Sequence, residues 1–429
     1  MARQVESFAL TAVEEPQVTD PQTASAFSFG VAADNTSKGE DQYAVLADDL
    51  QKKQAFGVFD GHSGGGAAWM CADKLLAKLM NCSVQQESVV DAFWSIDDEI
   101  GTVGTDRSGT TATVLLAEEN ESDGSMRCLL AWVGDSTAIR FDLSTTLTFG
   151  GVVARPTVDH SPTNTTEVGL LQRLSSVRAG VEERGETLAD AAASASGRNV
   201  PPSAAELSLF QRALLRAKRI SAVLSRESGD GESDGGNSIT CNTADNVGSD
   251  VQRPEENRVI QGREAAVRNA FVMQRPPRTT SSGSHKRRPT VVATALKHED
   301  PLYYDVAMTR SIGDWHGPDM VVPHPQIEPF EVPAGRWTRV IMASDGLWDV
   351  CEHESAVRLA RECSSAQEAA EALLIFAQRE YAERGKKGVG DDVTVLCVDL
   401  NPSCLPFRPP ASEGAEYCCS SELGFCRLC

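Results

Sequence analysis

Four short apolar runs in this chain abut an acid, and that pattern constrains the fold more than any other feature of the sequence. Phe56–Phe59 runs into Asp60-Gly61, Leu129–Val133 into Gly134-Asp135, and Val340–Ala343 into Ser344-Asp345, while Asp391-Asp392 opens Val393–Val398. A fifth run, Thr111–Leu116, follows Gly109-Thr110. Apolar runs of four to six residues, rich in β-branched side chains and bounded by Gly and Asp, have the length and composition of strands. Helical spacing lies between them. Ala68, Ala72, Leu75, Leu76 and Leu79 share one face after Gly66, and Val357, Leu359, Ala370, Leu373, Leu374 and Ala377 form stripes between Ser355 and Tyr381. Such stripes are expected to pack on sheets.

An acid beside glycine is ordinarily a turn residue. Here the pattern recurs at Glu40-Asp41, Asp60, Asp135, Asp345 and Asp391-Asp392. Strands of one sheet can bring their ends to a common point, where like charges raise each other's pKa unless a cation compensates them. An all-oxygen donor set suits Mg²⁺ or Mn²⁺ rather than zinc. Gly61 permits close backbone approach, which opens its carbonyl to the same shell. Other chemistries lack their residues. There is no G-x-x-x-x-G-K-[ST], no H-E-x-x-H and no Cys with Arg six positions later.

The net charge of −21 argues against a general nucleic-acid or anionic-membrane binder, which presents a basic face. No apolar stretch reaches the 18 or more residues of a membrane span. MARQVESFAL carries no secretory apolar region and Ala2 excludes N-myristoylation. Twelve Cys in 429 residues are too dilute for a disulfide scaffold, so reduced thiols and an intracellular, cytoplasmic or nuclear, protein are expected.

The organisation expected is a loose N-terminal segment over 1–26, a catalytic domain over 27–401 and a Cys-rich tail over 402–429. The domain is interrupted by an insertion at about 181–288. Within it, Ser228–Asp250 has five acids, five Gly, four Ser and no Lys or Arg, a composition expected to stay disordered. Just before that stretch, Leu207, Phe210, Leu214, Ala217 and Leu224 mark an amphipathic helix flanked by Arg212, Arg216, Lys218 and Arg219.

The ordered series ED, FDGHSGG, SGTTA, VGDS, TRSIGD, SDGLWD and GDDVT resembles the metal-dependent serine/threonine protein phosphatases, the PPM or type 2C family. The resemblance covers about Phe27 to Asn401, less the insertion. It implies an α+β fold, a four-layer αββα sandwich of two antiparallel sheets flanked by helices. It also implies a monomer that hydrolyses phosphoserine and phosphothreonine in proteins with two Mg²⁺ or Mn²⁺ ions and a weaker third. Carried over by position, Asp60 bridges both metals, Asp345 and Asp391 bind one, and Glu40 and the Gly61 carbonyl bind the other. Asp41 stands behind them, Asp135 belongs to the third metal, and His62 is the general acid. Thr110, Thr111, Asp314 and Asp349 match supporting positions. Two metals about 3.5–4 Å apart activate water for in-line attack without a covalent intermediate. Two positions depart from the family pattern. The family often has Arg before its ED pair, where this chain has Lys38 as the phosphate-binding candidate, and it usually has Asn where this chain has Asp392. Two other readings are a catalytically silent member that binds phosphoproteins and a two-metal nuclease or small-molecule phosphoesterase.

Overall fold

A computed structural model describes residues 26–48, 52–81, 85–103, 107–143, 155–196, 201–227, 270–273, 290–293, 304–318, 320–386 and 388–401. The readings made of residues 1–25, of Ser228–Asp250 and of 402–429 lie outside the described residues.

Two five-stranded antiparallel sheets form the frame. The first has the order β1 (Phe27–Asp34), β15 (Val393–Leu400), β14 (Thr338–Ala343), β8 (Thr137–Asp142), β9 (Arg155–Pro156). The second has the order β13 (Gln326–Val332), β7 (Met126–Val133), β6 (Ala112–Glu119), β3 (Lys53–Phe59), β2 (Gln42–Asp48). All five apolar runs read from the sequence are strands. Strand side chains alternate between faces, and in this frame both faces are buried. In β15, Val393, Val395 and Cys397 face the helices while Leu396, Val398 and Leu400 face the other sheet. In β7, Leu129, Ala131 and Val133 face helices while Cys128, Leu130 and Trp132 join the layer between the sheets. That double burial is why these segments read as continuous apolar runs rather than alternating ones.

Helices cover both outer faces. On the second sheet lie α1 (Gly66–Met70), a π-helical turn at Cys71–Leu75, α2 (Leu76–Met80) and α3 (Gln86–Val103). The stripe after Gly66 is buried as expected at Ala68, Leu75, Leu76 and Leu79, with Ala72 partly exposed. On the first sheet lie α7 (Asp345–Trp348), α8 (His353–Arg361) and α9 (Ala366–Glu383). The apolar pattern between Ser355 and Tyr381 is divided between α8 and α9. Ser365 caps the Glu368 N–H at 3.1 Å and Glu368 reaches back to the Ser364 N–H at 2.7 Å, so a new helix starts there. The four layers of the expected sandwich are all present.

The remaining elements lie beside this frame. α4 (Thr165–Glu182), α5 (Leu188–Ser196) and α6 (Ala204–Glu227) share a fourth core with Trp94 of α3 and with Met320, Val321 and Val322. The helix read over Leu207–Leu224 is therefore real, and Phe210, Ala213, Ala217 and Ile220 on it are buried. β10 (Ala270–Met273) pairs with β11 (Thr290–Ala293). A three-stranded ribbon, β12 (Ile312–Gly313), β5 (Gly109–Thr110), β4 (Gly61–His62), sits at the end of the second sheet.

One buried ion pair locks the first sheet to its helices. Arg339 on β14 stands opposite Asp399 on β15, both essentially unexposed, with nitrogen–oxygen distances of 2.7 and 2.8 Å. Its guanidinium also donates to the Ala360 and Cys363 carbonyls at the end of α8. Arg339→Met alone strands the Asp399 charge and is expected to cost about 3–5 kcal/mol in urea unfolding. Arg339→Met with Asp399→Leu is expected to recover most of that loss, because both charges go together.

Candidate functional site

Strand register brings the acids to one end. Ala343 pairs with Val395 and with Thr137, so the segments carrying Asp345, Asp391-Asp392 and Asp135 leave the first sheet at the same edge. In the second sheet Phe59 pairs with Gln42, Val58 with Thr113 and Ala112 with Val133, which aligns the ends of β2, β3, β6 and β7. The two edges meet, since Asp60 lies close enough to Asp345, Asp41, Asp135 and Asp391 to feel all four charges. Burial first, and then those neighbours, raise its carboxyl well above the ordinary range.

The backbone around Asp60 is fixed by hydroxyls. Its carbonyl accepts from the Thr111 N–H at 2.9 Å and the Thr110 hydroxyl at 3.1 Å, and its N–H donates to Thr111 Oγ1 at 3.1 Å. Thr111 Oγ1 lies 2.6 Å from Ser136 Oγ, which ties this turn to the one carrying Asp135. Glu40 sits in the β1–β2 loop. Its Oε1 accepts from the Gly64 N–H at 2.7 Å, and its carbonyl oxygen lies 2.5 Å from where a Cβ on Gly61 would stand. Only glycine allows that approach. Asp41 beside it is 1% exposed; burial pushes its carboxyl up to about 6 against the hydroxyls of Ser344 and Thr394, with Asp392 and Asp345 adding to the rise. Its Oδ2 has no hydrogen-bond partner among the described residues.

Asp392 has a different task from the one its extra charge suggests. Its Oδ1 accepts the Ser37 and Lys38 N–H groups at 3.0 and 2.8 Å, and its Oδ2 accepts the Glu40 N–H at 2.8 Å. The carboxylate thus shapes the loop that presents Glu40. Lys38 is half exposed and its Nζ lies 2.7 Å from Asp391 Oδ1. Partial burial works against its charge, but Asp391, Asp60 and Asp345 hold its pKa above the ordinary value.

His62 stands on β4 with Nε2 at 2.7 Å from Asp314 Oδ1. Asp314 also accepts from Tyr304 OH at 2.6 Å and from the Ser311 hydroxyl, and those bonds with His62 outweigh burial and keep it ionised. Burial opposes the imidazolium of His62, yet Asp314, Asp135 and Glu40 raise its pKa overall. A Cβ on Gly109 would fall 2.2 Å from Asp314 Oδ1 and 2.4 Å from His62 Nε2, so β5 must carry glycine under this pair.

Of the sequence candidates, Glu40, Asp41, Asp60, Gly61, His62, Asp135, Asp345, Asp391 and Lys38 are gathered at this edge around Asp60. Asp349 is exposed beside it, in a cavity lined also by Asp135, Asp345, Trp348 and His353. Among the described residues no three His, Cys, Asp or Glu side chains form a ready-made metal cage. Asp391 turns to Lys38 instead. The donor chemistry nevertheless suits a hard cation: all oxygen, strongly acidic, and including an unpartnered buried carboxylate oxygen on Asp41. Sequence reasoning undervalued Asp314 and missed Tyr304 and Ser311. Only the placement of Asp314 in TRSIGD pointed toward it.

His160 is unexposed, stacks on Trp132 and accepts the Gly134 N–H on Nδ1 at 3.2 Å, holding the turn that carries Asp135. Burial, followed by the Arg310 charge, lowers its pKa well below the ordinary value. A depressed folded-state pKa gives stability that is present above about pH 6.5 and is lost as pH falls toward the folded value. Between pH 6.5 and 5.5 the wild-type protein is expected to lose about 1 kcal/mol more than His160→Gln, which keeps an acceptor but does not titrate. Urea unfolding at the two pH values measures the difference; equal losses exclude His160 as the source.

Comparison with known proteins gives a consistent result. The profile described as Protein phosphatase 2C matches residues 27–186 and 289–384, more than half of the chain. The chain is similar to protein phosphatase 2C 50 of Oryza sativa subsp. japonica, at 34% identity over 117 residues, covering 23% of this chain and 29% of that protein. It is similar to protein phosphatase 2C homolog 1 of Schizosaccharomyces pombe, at 33% over 139 residues, covering 32% and 38%. These matches span less than two fifths of the relatives' length. In fold it is similar to the crystal structure of serine-threonine phosphatase 2C from Toxoplasma gondii, with a TM-score of 0.52 at 15% identity over 87% of this chain and 94% of that one.

Proposed function

The chain belongs to the protein phosphatase 2C family, and we propose that it hydrolyses phosphoserine and phosphothreonine in proteins by metal-assisted attack of water on phosphorus. The observation that carries the reading is Asp60, ringed by Asp345, Asp41, Asp135 and Asp391, with a His62–Asp314 pair two residues along the chain. Asp60 would bridge two Mg²⁺ or Mn²⁺ ions, with Asp345 and Asp391 on one and Glu40 and the Gly61 carbonyl on the other. Asp135 would serve a weaker third. When bound, the ions neutralise the carboxylates, draw charge from the phosphoryl oxygens and make a water acidic enough to act as nucleophile.

The chain's own residues do the rest. Lys38 offers a point charge to the phosphate at the rim, without the fork geometry of a guanidinium. A serine or threonine alkoxide leaves poorly near neutral pH, so a proton must be delivered to it. His62 holds that proton. Asp314 engages Nε2, fixes the ring and favours the imidazolium, which leaves Nδ1, a nitrogen without a hydrogen-bond partner among the described residues, as the donor to the departing oxygen. Asp41 and Asp392 act on the ligand loop from behind, through charge and backbone hydrogen bonds.

Turnover of phosphoserine and phosphothreonine peptides is expected to require added Mn²⁺ or Mg²⁺ and to stop with EDTA. Full turnover after exhaustive metal removal would falsify the metal-assisted reading. Asp60→Ala is expected to abolish turnover while the protein stays folded, since removing one acid relieves repulsion.

His62 is tested by the leaving group. His62→Gln is expected to lose about 10²–10⁴-fold on a phosphoserine peptide but much less on para-nitrophenyl phosphate, whose phenolate departs without a proton. Equal losses on the two substrates at saturating Mn²⁺ remove His62 from the acid role and leave the carboxylate assignments standing.

A further inference from the structure

Arg216 lies on α6, within residues 187–288 that the family profile leaves unmatched. By sequence it is one of several basic residues along an amphipathic helix, and such residues ordinarily point to water. Here it is 1% exposed. Its Nε donates to Asp97 Oδ2 on α3 at 2.8 Å, Nη1 donates to the Val321 carbonyl at 3.0 Å, and Nη2 donates to the Gly313 carbonyl. Its guanidinium carbon lies 5.7 Å from the centre of the Trp315 ring. Trp315 in turn packs so closely on α3 that a Cβ on Gly101 would meet it at 2.0 Å.

The Gly313 peptide is therefore gripped on both sides. Its carbonyl takes Arg216, and its N–H donates at 2.8 Å to Asp97 Oδ1, the same carboxylate that Arg216 pairs with. Gly313 and Asp314 have φ of +85° and +57°, two successive left-handed residues, and Asp314 has no glycine freedom to ease that conformation. A backbone of that kind persists only where its surroundings hold it. What this one holds is the carboxylate that fixes His62 at 2.7 Å, in a space where Gly109 leaves no slack.

We infer that Arg216, supplied by the inserted helix, is a positioning residue for the His62–Asp314 pair, acting through the Gly313 peptide, so that the insertion is part of the proton-delivery apparatus. The inference rests on the proposed acid role of His62. A bland alternative exists: Arg216 merely anchors α6, and its loss would then weaken the protein without regard to leaving group.

Arg216→Lys separates the two, because Lys keeps the charge opposite Asp97 but cannot reach three acceptors at once. At saturating Mn²⁺ it is expected to lose about tenfold on a phosphoserine peptide. On para-nitrophenyl phosphate the expected loss is less than about twofold, and in a His62→Gln background it should add nothing further on the peptide. Equal losses on both substrates, or a loss that adds in full to that of His62→Gln, overturn the inference. His62→Gln run alone marks the other failure: equal losses there remove the acid reading first and take the functional part of this inference with it. Hydrogen–deuterium exchange gives a readout that does not depend on turnover. Amides over 309–316 are expected to exchange faster in Arg216→Lys while those of β14 and β15 do not change, and unchanged exchange over 309–316 also overturns the link. Should Arg216→Lys unfold, Arg216→Met with Asp97→Leu removes both buried charges together, and the same substrate-selective loss is expected of it.

Discussion

Mutual repulsion among five carboxylate sites is the constraint around which this fold is arranged. Two sheets that leave their acids at a common edge bring Asp60 within reach of four other negative charges. Side chains alone would swing apart to relieve that. The structure resists through the backbone: Thr110 and Thr111 hold the Asp60 peptide, Ser136 joins that turn to the Asp135 turn, and Asp392 takes three N–H groups of the Ser37–Glu40 loop. The rigidity comes from hydrogen bonds between main chain and side chain. The double-sided burial of β7 and β15 then anchors the strands that carry those turns.

A second device serves His62. Its partner Asp314 is the second of two left-handed residues, and that turn is clamped by Asp97 of α3 and Arg216 of α6. Arg310 adds a parallel tie, with its guanidinium paired to both oxygens of Glu167 on α4 at 2.8 Å. The segment from Thr309 to Val322 is thus bounded by the acid pair on one face and by α4–α6 on the other.

Much of this was legible in the sequence, and what escaped it escaped for a physical reason. The strands were readable because burial on both faces writes itself as a continuous local run. Asp60, Asp135, Asp345 and Asp391-Asp392 were readable because each sits within two residues of the end of such a run, beside a turn residue. Asp314 and Arg216 were not readable in their roles. The partner of Asp314 is 252 positions away and that of Arg216 is 119 away. Nothing local distinguishes Arg216 from Arg212 or Arg219, which pair with Asp91 and Asp98 while partly or largely exposed. Asp392 read as added negative charge near a metal site; its three backbone donors come from the other end of the chain. In each case a buried polar group takes its meaning from the fold, and periodicity carries no information about it.

The strand order of the first sheet has a consequence for synthesis. β15, the last strand among the described residues, lies between β1 and β14, and Leu400 pairs with both Phe27 and Thr338. The second sheet has its full complement once Val332 has emerged. Until the ribosome has released residues 393–400, β1 and β14 have no strand to join them, and the inner face of the finished sheet stands uncovered. Closure of the protein is therefore a late, long-range event, of the kind that folds slowly and leaves strand edges open to wrong partners in the meantime.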